Sequence, residues 1–307
     1  MQVMAQLRRT DGSRACVLMT EHLVGRGPQC ALRLSPAYVS AQHALIRWDG
    51  RAWEILDRGS RNGTQVNGTP LEPGRAQRLL KDSVITFGHA DERWALVDAG
   101  EPQTMAVALD TGQALLGVQG LIGLPSSQNP EHTLYLHHDG SWRLERANGE
   151  VEVVVDGQVI ECAGRQFRFC CPASTSTTEA LTTASPGEPT LCFAVSSDED
   201  FVELALEYPE RRVALGSRSH NYLMLTLARQ KLSDLAQNLP EASCGWMDKD
   251  ELADGFKMTP QQVDGEVFRI RKHFTQHGLP ESTLVIERRP RTKQIRLGLS
   301  RLRIEKS

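Results

Sequence analysis

From Leu23 to Gly88 the chain is a series of short apolar runs of period two, each ended by Gly, Asn, Asp or Ser. The runs are LVGRGPQCALRL, YVSAQHALIRWDG, WEILDRGSRNGTQVNGTPL and VITFGH. Val39, Ala44 and Ile46 share a register, as do Trp53 and Ile55. Alternation at that period gives each strand one buried and one wetted face, so the stretch reads as a meander of strands. Gly63 and the pair Asn67-Gly68 supply the positive φ that tight hairpins need.

The loops between these strands carry the chemistry. A phosphate ester needs fixed, charge-assisted donors. Arg26 on one loop, Ser40 on the next and the backbone N–H groups from Ser60 to Asn62 would converge on one dianion. For Arg26 or Ser40 alone, a solvated loop residue is the simpler reading; together with the third loop they favour a phosphate site. No nucleophile is implied by the set.

GR, then VSxxHA, then SRNGTxVNG, in this order, resemble a forkhead-associated (FHA) domain over about residues 1–97. The resemblance implies a phosphothreonine-binding β-sandwich. Arg26 and Ser40 would then hold the phosphate, with Arg61 beside it and Ser60 in the same loop, and Asn62 would fix the peptide main chain. His43 would brace the loops from inside. Cys30 departs from the family's usual short polar residue and bears on the shape of the first loop.

A chain of 307 residues suggests two or three domains, and 40% apolar with 24% charged residues is a globular composition. No segment approaches the roughly 20 apolar residues of a membrane span, and the N-terminus has no signal-peptide pattern, so a cytoplasmic protein without membrane contact is expected. The seven cysteines form no CxxC and no ligand-like spacing with His, so free, buried thiols are expected, with no metal and no cofactor. Lys and Arg number 17 against 25 Asp and Glu in residues 1–204, and 18 against 13 in residues 205–307, so the C-terminal part is the basic one.

Residues 104–172 hold a second β-rich pattern. LIGLPSSQNPEHTLYL, GSWRLE, VVVDGQVI and RQFRFCCP echo the first segment in the same order, as a degenerate FHA-like repeat or as unrelated β structure. Leu124 stands where Arg26 does in the first copy, so phosphate binding has no residues here. A spacer or dimerisation role is expected instead, which makes a homodimer a candidate assembly. Residues 173–189 are nearly free of large apolar side chains and read as a flexible linker. Thr175, Thr177, Thr178, Thr182, Thr183 and Thr190 would there be kinase-accessible, or would serve solubility alone.

Residues 190–307 open with alternating strands and turn to helical periodicity after Ser219, a candidate N-cap. Asp248 is placed to cap a short helix, and Thr259-Pro260-Gln261-Gln262 to start a third with a capping box. Val263, Val267, Ile270 and Phe274 mark that helix's buried stripe. LVIERRPRTKQIRLGL then reads as a hairpin with a basic tip. Strands, three helices and a hairpin make a winged helix, and the segment resembles the OmpR/PhoB-type DNA-binding domain. The resemblance makes QVDGEVFRIRKHF its recognition helix. The expected fold class is thus multidomain, mainly β plus α+β.

At 100° per residue, the face opposite the stripe collects Gln261, Gln262, Gly265, Arg269, Lys272 and Gln276. Arg to guanine and Gln to adenine are fitting major-groove pairs, whereas Arg271, at the stripe's edge, suits phosphate. Arg288, Arg289, Arg291 and Lys293 in the hairpin add a basic wing. Gly265 either lets the helix sit deep in the groove or is a tolerated surface glycine. The expected function is a non-enzymatic, phosphothreonine-dependent transcription regulator whose partners are a phosphothreonine protein, a Ser/Thr kinase and duplex DNA. The alternative is a scaffold that does not bind DNA. No nucleotide loop, metal set or catalytic triad is evident.

Overall fold

The computed structural model of the chain describes residues 4–172, 189–279 and 282–306. They divide into two compact units, one of residues 4–117 and 155–172, the other of 118–154 and 189–306. The segment read from sequence as one β-rich unit, 104–172, is thus shared between them. Residues 173–188, with Thr175, Thr177, Thr178, Thr182 and Thr183, lie outside the described residues.

The first unit holds a two-sheet β-sandwich. One sheet has five strands in the order Leu32–Arg33, Glu21–Gly25, Ala44–Trp48, Trp53–Asp57 and Gln77–Leu79. The other has six, with Ala15–Val17, Gln6–Arg9, Arg93–Asp98, Val84–Phe87, Thr64–Val66 and Thr69–Pro70. Val24, Ile46, Trp53 and Ile55 from the first sheet and Leu7, Ile85, Phe87 and Trp94 from the second form one core. Each is an inward position of an alternating strand, and burying a side chain of this size contributes roughly 1.5–3 kcal/mol. A third sheet of this unit runs Ala114–Leu116, Met105–Ala108, Arg165–Cys170 and Val159–Cys162.

The second unit combines two four-stranded sheets with helices. Thr190–Val195 pairs with Val202–Glu207, which pairs with Arg212–Ser217, while Leu302–Lys306 returns parallel to the first of these. Thr190 is therefore a paired strand residue opposite Glu207, not a mobile linker position. Helices α1 (Asn221–Ala236), α2 (Lys249–Phe256) and α3 (Pro260–Gln276) follow, and Ile286–Arg288 pairs with Gln294–Leu297 as a hairpin. The core gathers Phe193, Leu204, Leu227, Val263, Val267, Ile270, Phe274 and Ile295. No helix among the described residues is long and apolar enough to cross a membrane.

Two caps form where the sequence puts them. Asp248 accepts the Asp250 N–H at 2.8 Å, and Thr259 and Gln262 close a reciprocal capping box on α3. Ser219 does not cap α1: the cap position is His220, in helical conformation and with no side-chain bond to the helix end. The second four-stranded sheet of this unit runs Leu121–Leu124, His132–Leu136, Trp142–Glu145 and Val151–Val154.

Candidate functional site

Three loops at one end of the sandwich meet around Ser40. The loop after Glu21–Gly25 is held by the Arg26 and Gly27 N–H groups, which donate to the carbonyls of Ser40 and Ala41 at 2.9 Å each. That approach needs glycine at position 25, where a Cβ would lie 2.5 Å from the Ala41 carbonyl oxygen. Cys30, the departure noted in the first loop, donates its thiol to the same Ala41 oxygen at 3.1 Å. The third loop is tied in by the Arg61 N–H, which donates to Ser40 Oγ at 3.0 Å.

His43 is fully buried beneath these loops. The Ser40 N–H donates to its Nδ1 at 3.1 Å, so Nε2 carries the ring proton and donates to the Gly63 carbonyl, also at 3.1 Å. Burial lowers its pKa and keeps the imidazole neutral. The ring therefore braces the second loop against the third and takes no part in binding charge.

Asp57 organises the third loop. Its carboxylate accepts the Ser60 N–H at 2.8 Å, the Ser60 hydroxyl at 2.7 Å and the Thr64 hydroxyl at 2.6 Å. Burial would raise its pKa, but these donors outweigh it and hold the group below the usual carboxylate range. Ser60 is thus spent internally, and its side chain is structural. Sequence reading missed Asp57, although an Asp three residues before a loop Ser is a legible turn signal.

The backbone N–H groups expected to meet a dianion are largely spent, since Ser60's goes to Asp57 and Arg61's to Ser40 Oγ, which leaves the donors to side chains and the Asn62 N–H. The Ser40 hydroxyl accepts from Arg61 and keeps its own proton to donate. Arg26 and Arg61 are exposed; Arg26 uses only Nε internally, on the Val39 carbonyl at 3.3 Å. Among the described residues Arg26, Arg58 and Arg61 form no ion pair, so the positive charge at this end is uncompensated. Asn62 donates its amide to the Tyr38 carbonyl at 2.9 Å, which fixes the side chain and leaves its oxygen without a partner among the described residues. A groove of about 450 Å³ continues from Asn62 past Gln65, Thr86, His89 and Arg93. Among the described residues no group of three or more His, Cys, Asp or Glu is placed to hold a metal.

In the second unit the expected DNA-facing residues are placed unevenly. Gln261, Arg269, Arg289, Arg291 and Lys293 are exposed. Gln262 is exposed but spends its side-chain oxygen on the cap. Lys272 is half-buried, Gly265 is buried, and Arg271 is 1% exposed. Arg271 is therefore not a free edge cation. It forms a bidentate pair with Glu145, with Nη2 to Oε1 at 3.0 Å, and donates to the Ile286 carbonyl at 2.6 Å. Arg288 is engaged as well, by Glu145 at 3.1 Å and Asp264 at 2.6 Å. The helical wheel fails here because α3 has a second covered side, made by the sheet of residues 121–154. Phe268 packs on Leu121 and Tyr135 in that contact.

Comparison with known proteins bears on the first unit. Residues 22–88 match the model of the FHA domain family. The chain is 36% identical over 87 residues to the FHA domain-containing protein FhaA of Mycobacterium tuberculosis, covering 28% of this chain and 16% of that protein. It is 47% identical over 53 residues to Protein FraH of Nostoc sp., covering 17% of this chain and 18% of the relative. A solved structure of Mycobacterium tuberculosis EmbR in complex with a low-affinity phosphopeptide aligns at 26% identity over 33% of this chain and 26% of that one, with a TM-score of 0.29. The chain thus spans under a fifth of the length of the first two relatives.

Proposed function

We propose that this chain, whose residues 22–88 are an FHA domain, reads a phosphothreonine on a partner protein and couples that signal to duplex DNA through its C-terminal segment, read as a winged helix. The observation that carries the first half is the Ser40 hub. One hydroxyl joins two loops, keeps a donor free, and stands with Arg26 and Arg61, which form no ion pair among the described residues. A phosphate dianion is the ligand class that such a set of donors suits. Asn62, held by Tyr38, would then accept from or donate to the peptide backbone beside the phosphothreonine. The kinase that writes the mark acts on the partner.

The second half rests on the order of elements from Thr190 to Lys306 and on the exposed cations Arg269, Arg289, Arg291 and Lys293. The engagement of Arg271 and Arg288 by Glu145 favours a second reading, a phosphopeptide scaffold in which α3 is a protein-binding surface. Binding of the full chain to duplex fragments across a salt series separates the two. Regulator function predicts selective capture of particular fragments and a log affinity that falls linearly with log salt; no duplex binding at low salt favours the scaffold.

A further inference from the structure

The contact between α3 with its hairpin and the sheet of residues 121–154 is built of complementary charge. Glu145 on that sheet is 8% exposed and accepts from both Arg271 and Arg288. Arg288 also reaches Asp264, and Asp264 accepts from Lys249 Nζ at 2.9 Å. The network thus holds three cations and two carboxylates, and Glu145 is the carboxylate that comes from the sheet. At the hairpin tip, the Arg291 N–H donates to the Asn148 carbonyl at 2.7 Å and its Nε to Glu150 at 3.0 Å. Arg269 points a guanidinium nitrogen at the Gln128 carbonyl, 3.5 Å away.

The backbones fit as closely as the charges. A Cβ on Gly265 would lie 3.2 Å from the Gln128 oxygen, and one on Gly149 would lie 2.9 Å from the Arg289 oxygen. Gly265, read from sequence as a groove-entry or surface glycine, here admits a loop of this chain. The sheet therefore presents carboxylates and carbonyl oxygens to Arg269, Arg271, Arg288 and Arg291, all of which the DNA reading assigns to phosphates or base edges.

We propose that the sheet of residues 121–154 is a displaceable cover that competes with duplex DNA for α3 and the hairpin. This rests on the DNA reading above. The contact mixes apolar packing with ion pairs: Phe268 packs on Leu121 and Tyr135 and lies beside Gly123, Pro130 lies beside Gly265, and the ion pairs around them are the kind that polyanionic phosphate replaces in kind. The cover is continuous in sequence with the FHA-bearing unit at both ends, at 117–118 and 154–155, so the chain itself connects the cover to the phosphothreonine reader.

The test uses the full chain and a duplex fragment selected by it, with Glu145→Gln and the surface change Glu150→Lys. Glu145→Gln leaves Arg271 and Arg288 buried without a full counter-charge and should release the cover; Glu150→Lys repels Arg291 at the rim without touching a core. Amide hydrogen exchange over residues 121–154 and α3 reports opening. The expected result is faster exchange in both segments and DNA binding tighter by roughly tenfold or more for Glu145→Gln, with a smaller gain for Glu150→Lys. Open variants that bind DNA no better than the parent overturn the cover and leave the DNA reading standing. Exchange unchanged in both variants shows a permanent part of the fold and overturns it too. Open variants and a parent that all fail to bind duplex at low salt overturn the DNA reading, and this proposal with it.

Discussion

Ser40 Oγ accepts the backbone N–H of Arg61 at 3.0 Å, so two loops 21 residues apart in sequence share one hydrogen bond at the point where their cations gather. The hydroxyl proton left over points to the first prediction. Ser40→Ala removes both the inter-loop bond and a donor to phosphate, and Arg26→Ala removes a charge-assisted one. Each should weaken a phosphothreonine peptide by about 1.5–3 kcal/mol, read by fluorescence anisotropy. The unphosphorylated peptide should show no matching change.

Ser60→Ala separates support from contact. Its hydroxyl goes to Asp57, so the substitution should lower the melting temperature through a lost, partly buried hydrogen bond of about 1 kcal/mol. Peptide discrimination should survive it. A Ser60→Ala chain of unchanged stability that no longer distinguishes phosphorylated from plain peptide would place Ser60 in the binding set instead.

The second unit carries an acid sensitivity. His220 Nε2 and His273 Nδ1 lie 3.1 Å apart, so one ring must accept and the two cannot both be protonated. Burial, then His273, lowers His220 from 6.5 to about 4; burial, then His277, lowers His273. His220 stays neutral in the folded chain until about pH 4 and His273 is shifted in the same direction, while the unfolded chain takes up protons below about pH 6.5. The stability that His220 contributes is therefore complete above pH 6.5 and is lost as pH falls from there towards 4, and His273 adds a loss of the same sign. Urea unfolding at pH 7.5 and pH 5 should differ by roughly 1–2 kcal/mol, and His220→Gln should reduce that difference. Equal differences in parent and variant would contradict this.

Local pattern made the sandwich legible: the inward positions Ile46, Trp53 and Ile55 are buried because strand alternation decides which face a side chain takes. Thr259 and Asp248 were legible for the same reason, since a cap is a contact over two or three residues. On α3 the apolar stripe is buried and, opposite it, Gln261, Gln262, Arg269 and Gln276 are exposed, whereas Gly265 is covered and Lys272 half-covered. Periodicity reports that one side of a helix is buried and says nothing of a second partner. Glu145 and Arg271 are 126 residues apart, and no spacing rule links them. His220 displaced Ser219 as the cap of α1 because His220 is buried against His273 in α3, again a distant contact.

For DNA, the two kinds of cation should respond differently. Arg269→Ala should relax preference at one base position, at a cost of about 1–3 kcal/mol on the preferred fragment. Arg289→Ala should weaken all fragments alike and reduce the salt slope by roughly one unit. Equal loss of sequence preference in both variants would remove the distinction between helix and wing.

Gly149→Ala asks how tightly the hairpin is held. At φ of +78°, with the Arg289 oxygen 2.9 Å from the added carbon, the change should cost about 1–3 kcal/mol. The loss should appear as faster amide exchange around Asn148 and Arg291. Unchanged exchange there would mean that the hairpin shifts to accept the methyl group.

The most direct measurement is the affinity of the full chain for one peptide in two forms, phosphothreonine and plain threonine, with the sequence chosen from a degenerate phosphothreonine library. The Ser40 hub predicts a clear preference for the phosphorylated form, and predicts that Arg26→Ala and Ser40→Ala each remove most of it. Equal affinity for both forms across the library would contradict the account.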